Sequence, residues 1–346
     1  MSRARNFLMA LAAALLAPIA ASAVEPSKIT PELIAAARKE GKVVVYTSIE
    51  LQMAEKVAKH FEAAYPGIKV QVERSGSERL FQRLGQEYGS NIRVADVITT
   101  SDAAHFVIWK RQGWLAPYLP EDVVLHFPKE QYDPDGTYAS WRLSLSVMGY
   151  NTKLIKAEDA PKGYRDLLDP KWAGRMVKAN PNYSGTALTG VFQISRELGW
   201  EFFEKLAGQR VMQVQSSTEP PKKLSLGERA IQVDGNEYVL LQVKREGNPV
   251  EIIYAREGTP VIISPSAVLK AAPNPNAARL YQSHMFSRAG QQMLIDSAGM
   301  RSYHRQTKVA PDLPALDAIK VLKDDAAAVA DEAEKIKERH SRYFRT

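Results

Sequence analysis

The chain reads as an α/β protein in two lobes, each a mainly parallel sheet flanked by helices. Short apolar runs alternate with helical patterns from residue 42 onward, the pattern of parallel strands joined by right-handed helical crossovers. At 346 residues there is room for two domains of ordinary size. Hydroxyl residues also recur where an apolar run ends and a helix begins, in Tyr46-Thr47-Ser48, Ser75-Gly76-Ser77 and Thr99-Thr100-Ser101. In an open parallel sheet such loops lie along one edge and share a crevice.

The first lobe repeats one unit three times. Residues 42–46 form a β-branched strand, and residues 51–65 form a helix with Met53, Val57 and Phe61 at four-residue spacing, closed by Pro66-Gly67. Residues 68–72 and 78–88, then 94–98 and 102–112, repeat strand and helix. Prolines at 117, 120, 128 and 134 break regular structure. Residues 138–150 follow as extended segments carrying the first crossing between lobes. The second lobe has a strand at 176–179, a turn at Asn180-Pro181-Asn182 and a helix at 186–198. Further helices are expected at 201–207, 224–231 and 237–244. Extended runs at 250–254 and 260–263 return the chain, and long helices at 276–298 and 315–343 complete it. Lobe one therefore comprises residues 24–140 and 260–346, and lobe two residues 141–259. The mixed charges of residues 320–345 fit the solvated face of an amphipathic helix packing through Val321, Leu322, Val329 and Ile336.

The N-terminus has the form of a secretory signal. Arg3 and Arg5 precede an apolar stretch from Phe7 to Ile19, and Ala21-Ser22-Ala23 offers small residues for cleavage. About 14 apolar residues, interrupted by Pro18, fall short of the roughly 20 that a spanning helix needs. The expected product is a soluble periplasmic protein beginning near Val24, with residues 1–23 removed. The absence of cysteine excludes disulfides, thiolate metal sites, cysteine nucleophiles and lipid attachment at a cysteine. The formal charge of +7 falls to about +5 without Arg3 and Arg5, and the basic residues are scattered. No nucleic-acid partner is expected.

Ligand chemistry concentrates in the hydroxyl clusters. Thr47, Ser48, Ser75, Ser77, Thr100 and Ser101 offer short donors beside unpaired helix N–H groups, a setting for an oxygen-rich or anionic solute. Each serine could instead only cap a helix. A fourth cluster, Tyr183-Ser184-Gly185-Thr186, opens a second-lobe helix, so the clusters would face one another across a cleft. In Gly235-Asn236-Glu237-Tyr238, Asn236 can cap a helix, while Glu237 and Tyr238 can contact an amino group, a cation or the solute. Enzyme signatures such as GxGxxG, GxSxG, HExxH and the Walker loop are absent. The six histidines are dispersed, and His60 and His105 read as ordinary helix residues. Asp102 reads as a first-turn acid complementing its helix dipole. A secreted α/β transferase or hydrolase, with Asp102 or Glu237 as base, is the alternative from another class.

The sequence resembles the bacterial extracellular solute-binding proteins of ABC importers, a family with ferric-iron, phosphorylated-sugar and aminoethylphosphonate binders. The resemblance spans the mature chain. It rests on Val43-Val44-Val45-Tyr46-Thr47-Ser48, Ala95-Asp96-Val97-Ile98, Gly149-Tyr150-Asn151-Thr152, Asp166-Leu167-Leu168-Asp169-Pro170-Lys171-Trp172 and Gly227-Glu228-Arg229-Ala230. It implies a two-lobe periplasmic-binding fold of type II, and proteins of that fold close around their ligand by hinge motion. It also implies a monomer that delivers its solute to a permease in the inner membrane, with no catalytic residue and no cofactor. Ferric-iron members carry two adjacent tyrosines where this chain has Tyr238-Val239. Ferric iron as the transported ligand, held by Tyr238 and Glu237, is therefore the alternative to an organic or phosphate-like anion.

Overall fold

The computed structural model describes residues 25–345; the expected signal peptide lies outside the described residues. Its elements in chain order are α1 (Pro31–Glu40), β1 (Lys42–Thr47), α2 (Leu51–Ala64), β2 (Lys69–Arg74), α3 (Ser77–Gly89), β3 (Val97–Thr99), α4 (Ala103–Arg111) and α5 (Glu121–His126). There follow β4 (Ala139–Leu145), β5 (Met148–Asn151), β6 (Met176–Ala179), α6 (Gly185–Leu198), α7 (Trp200–Ala207), β7 (Met212–Val214), α8 (Glu219–Ser225) and β8 (Ile231–Gln232). The last are α9 (Glu237–Arg245), β9 (Val250–Ile253), β10 (Val261–Val268), α10 (Pro275–Phe286), α11 (Arg288–Ala298) and α12 (Ala326–Phe344).

Two five-stranded sheets result, ordered β2-β1-β3-β10-β4 and β7-β6-β8-β5-β9. Each is mixed, with one reversed strand: β10 is antiparallel to β3 and β4, and β5 is antiparallel to β8 and β9. The reversed strand of each sheet is the one the chain enters on crossing between lobes. The sheet changes between Leu145 and Met148, a few residues beyond the expected boundary at 140. It changes back between Ile253 and Val261.

Several expected elements differ. The helix expected at 224–231 is the short α8 ending at Ser225, and Ile231 begins a strand. The helix expected at 276–298 breaks at Ser287, whose backbone is extended and whose Oγ accepts from Gly290 N at 3.1 Å to start α11. The last helix begins at Ala326 rather than 315. Its buried Val329 and Ile336 join Leu322 and the second-lobe core of Tyr164, Phe192, Phe202 and Phe203, although that segment is expected in lobe one. Val321 is exposed instead of packed.

The cores follow from the patterns. Met53, Val57 and Phe61 of α2 are buried against the sheet, and Phe61 meets Tyr281 of α10 edge-on with centroids 5.1 Å apart. Burying each such side chain is worth roughly 1.5–3 kcal/mol. At the hinge, Arg301 follows α11 in the first lobe and pairs with Leu143 of β4 through an isolated backbone bridge. Its Nε and Nη2 donate to the two oxygens of Glu237, at 2.8 and 2.9 Å. The Tyr254 hydroxyl donates to the same carboxylate at 2.6 Å. Glu237 opens α9 of the second lobe, so this buried pair ties the lobes together.

His284 of α10 packs edge-on against Phe61 and Tyr65, with Nε2 2.8 Å from His60 Nδ1. Burial first, and the His60 charge second, lower its pKa to about 4. An unfolded histidine titrates near 6.5, so the unfolded chain takes up the proton first as pH falls. Thermal denaturation should therefore show stability lost from about pH 6.5 down to 4, with His284→Gln losing less across that window. Breaking a buried ion pair by removing one partner typically destabilises by about 3–5 kcal/mol. Arg301→Met should lower the urea midpoint accordingly, whereas a Glu237→Gln protein held in folding conditions should keep its affinity for solute.

Candidate solute-binding cleft

In both sheets the parallel strands end at the cleft between lobes. Loops after β1, β2 and β3 bring Ser48, Gly76, Ser77 and Ser101 to a cavity whose opposite wall is Tyr183, Ser184, Thr186, Ser216, Ser217, Thr218 and Asn236. The lobes are closed on one another, leaving a cavity of about 10 Å³, room for about one water. Larger solutes enter only when the lobes part.

The hydroxyls form a linked lining. Ser101 N donates to Ser48 Oγ at 3.0 Å, and the Ser77 and Ser101 hydroxyls are 2.9 Å apart. Across the cleft, Ser184 Oγ lies 2.8 Å from Ser217 Oγ and caps α6 by accepting from Ala187 N at 3.3 Å. The N-caps Gly76 of α3 and Asn236 of α9 make no side-chain cap bond. Helix N-termini from both lobes thus point N–H groups toward the same space, a field that favours negative charge.

Glycines permit the close approach. A Cβ on Gly185 would stand 2.5 Å from Asp102 Cβ and 3.2 Å from Ser77 Cβ; one on Gly76 would stand 2.9 Å from the Tyr183 carbonyl oxygen. Two first-lobe arginines reach neutral second-lobe groups at the rim. Arg74 Nη2 donates to Ser216 Oγ at 3.2 Å, Arg79 donates to Gln215 at 2.5 Å, and its guanidinium lies over the Tyr183 ring.

Of the residues singled out from sequence, Ser48, Ser77, Ser101, Tyr183, Ser184 and Thr186 line the cavity, and Gly185 forms the tight contact behind it. Thr47, Ser75 and Thr100 do not line it. Thr47 Oγ1 accepts from Ile49 N, Thr100 Oγ1 binds the Asp102 backbone, and Ser75 N donates to the Thr47 carbonyl, so these three shape the loops. Glu237 is turned to Arg301 and Tyr254 rather than the cavity. Tyr238 is buried at the hinge end, its hydroxyl accepting from Glu50 N at 3.2 Å. Ser216, Ser217 and Thr218 are lining residues that the sequence reading passes over, although they repeat the opening pattern of a short strand ending in hydroxyls before a helix.

Behind the first-lobe wall sits a buried charge cluster. His105 Nε2 lies 3.0 Å from Glu78 and 3.5 Å from Asp102, while Lys337 of α12 donates to Glu78 at 2.6 Å. Burial opposes protonation of His105, but the Asp102 and Glu78 charges outweigh it and raise its pKa. Asp102 also caps α4 through Ala104 N at 2.9 Å. His105 is therefore part of a paired cluster rather than an isolated helix residue.

Residues 93–328 match the family described as bacterial extracellular solute-binding protein. Iron uptake protein A1 of Synechocystis is 24% identical over 256 residues, covering 68% of both chains. The periplasmic binding protein AfuA of Actinobacillus pleuropneumoniae, solved with fructose-6-phosphate, superposes with a TM-score of 0.82 at 24% identity, over 88% of this chain and 99% of AfuA. Iron-bound HitA of Pseudomonas aeruginosa gives 0.74 at 24% identity, over 86% of this chain and 99% of HitA. Such family members are extracellular or periplasmic and work with ABC permeases. The two sheets, their paired crossings and the shared cleft carry the same architecture, and the chain belongs to the bacterial extracellular solute-binding proteins, the solute-capturing components of ABC importers.

Proposed function

We propose that the protein captures a small, oxygen-rich anion in the periplasm and delivers it to an inner-membrane permease. One observation carries this reading: the cavity wall contains only hydroxyl, amide and glycine residues, with helix N-termini contributed by both lobes. Such a wall supplies donors without a carboxylate to repel an anion. The solute favours the closed state through contacts that exist only when both lobes reach it.

Ferric-iron ligation has less support in this cleft. Glu237 is engaged by Arg301, Val239 replaces a second tyrosine, and burial raises the pKa of Tyr238 against the partial opposition of Arg142. The bases of the enzyme alternative are likewise occupied, Asp102 within its buried cluster and Glu237 at the hinge.

The test is a thermal-shift panel of phosphate, phosphonates, carboxylates and ferric citrate, followed by calorimetry of each hit. A bound anion at 100 times its dissociation constant should add about 2.7 kcal/mol of stability. Ser184→Ala combined with Thr186→Ala should remove most of that gain, and unchanged affinity would refute the second-lobe half of the site. A tyrosinate absorption band with ferric citrate, lost in Tyr238→Phe, would favour iron instead. Gly185→Ala should leave each lobe folded but hold the cleft open, read as a radius of gyration that solute no longer reduces.

A further inference from the structure

Arg142 is the cation of the hinge that the fold leaves unanswered. It lies on β4 and is only 2% exposed, yet its Nε and Nη1 are buried without a hydrogen-bond partner. Its guanidinium carbon stands 5.7 Å from the centre of the Trp141 ring and 5.9 Å from that of Tyr238. Aromatic faces attract a cation but accept none of its N–H groups in the manner of an oxyanion. Burial pulls its pKa down, with Tyr238 opposing. A buried charge without an acceptor destabilises the fold that contains it.

Its surroundings connect it to the cleft. Tyr238 lies two residues beyond cavity-lining Asn236, and its hydroxyl accepts from Glu50 N at the start of α2, beside the loop of cavity-lining Ser48. Strand alternation places Ser144 on the Arg142 face, and Ser144 Oγ, Ser146 Oγ and Asn236 Oδ1 are also buried without partners. Ser146 bridges cavity-lining Asn236 through the backbone, so the unpartnered polar groups of β4 and its continuation run toward one end of the solute site.

Resting on the anion reading of the cleft, we propose that Arg142 is its specificity-determining cation, donating to an ionised phosphoryl, phosphonate or carboxylate group and so selecting charged solutes over neutral polyols. Calorimetry with inorganic phosphate, methylphosphonate, citrate and glucose tests this on wild type, Arg142→Met and Arg142→Lys. Wild type should bind at least one of the anions and not glucose. Arg142→Met should weaken that binding about thirtyfold or more, the usual result of truncating one partner of a buried charge pair, and Arg142→Lys should recover much of it. The ligand-free Arg142→Met protein should melt no lower than wild type. A purely structural arginine would instead lower the melting temperature and leave affinity unchanged, overturning the inference while the anion reading stands. Binding of glucose alone, or of none of the four probes, would overturn both.

Discussion

The buried pair of Glu237 and Arg301 is the fixed point of the molecule. It joins the first turn of a second-lobe helix to a first-lobe segment, and neither charge can be left alone in the interior without a large penalty. The lobes are therefore pinned at one end. Asn236 and Tyr238 flank Glu237 in sequence, so the same pair sets the hinge end of the solute cleft, while at the far rim Arg74 and Arg79 reach across to Ser216 and Gln215.

The electrostatic design follows from what stands behind the wall. Asp102 and Glu78 immediately follow the lining residues Ser101 and Ser77, and two free carboxylates there would repel an anion. They are instead matched by His105 and Lys337, and burial strengthens the mutual attraction. The wall itself is left with hydroxyls and helix N–H groups. Lys337 comes from α12, so the last helix helps neutralise the first lobe while its apolar face packs on the second.

Much of this was legible in the chain. Strand and helix periods differ enough that the alternation from Lys42 to Arg111 could be read directly, and its loops carried the first-lobe wall of the cavity. Local pattern failed where one residue served two purposes. Glu237 looked free because its partner Arg301 is 64 residues away. Ile231 continued an apolar spacing from Leu224 but is captured by the sheet beside Met176 and Tyr150. Ser287 interrupts an otherwise continuous helical pattern by capping the next helix. Arg142 lies inside an extended run in which nothing distinguishes a buried arginine from a solvated one.

The course of α12 places the chain's two described ends on different halves of the molecule. Ser27 bridges to Pro120 in the first lobe, while Phe344 belongs to the second-lobe core through the last turn of α12. Between them the polypeptide passes from one half to the other three times, the third passage running beside the second where Thr259 bridges Val321. Adjacent passages resist twisting more than a single tether does, which leaves a hinge rotation as the soft motion. Dyes attached near Ser27 and Phe344 would therefore act as the jaws of a caliper whose reading is the angle between the lobes.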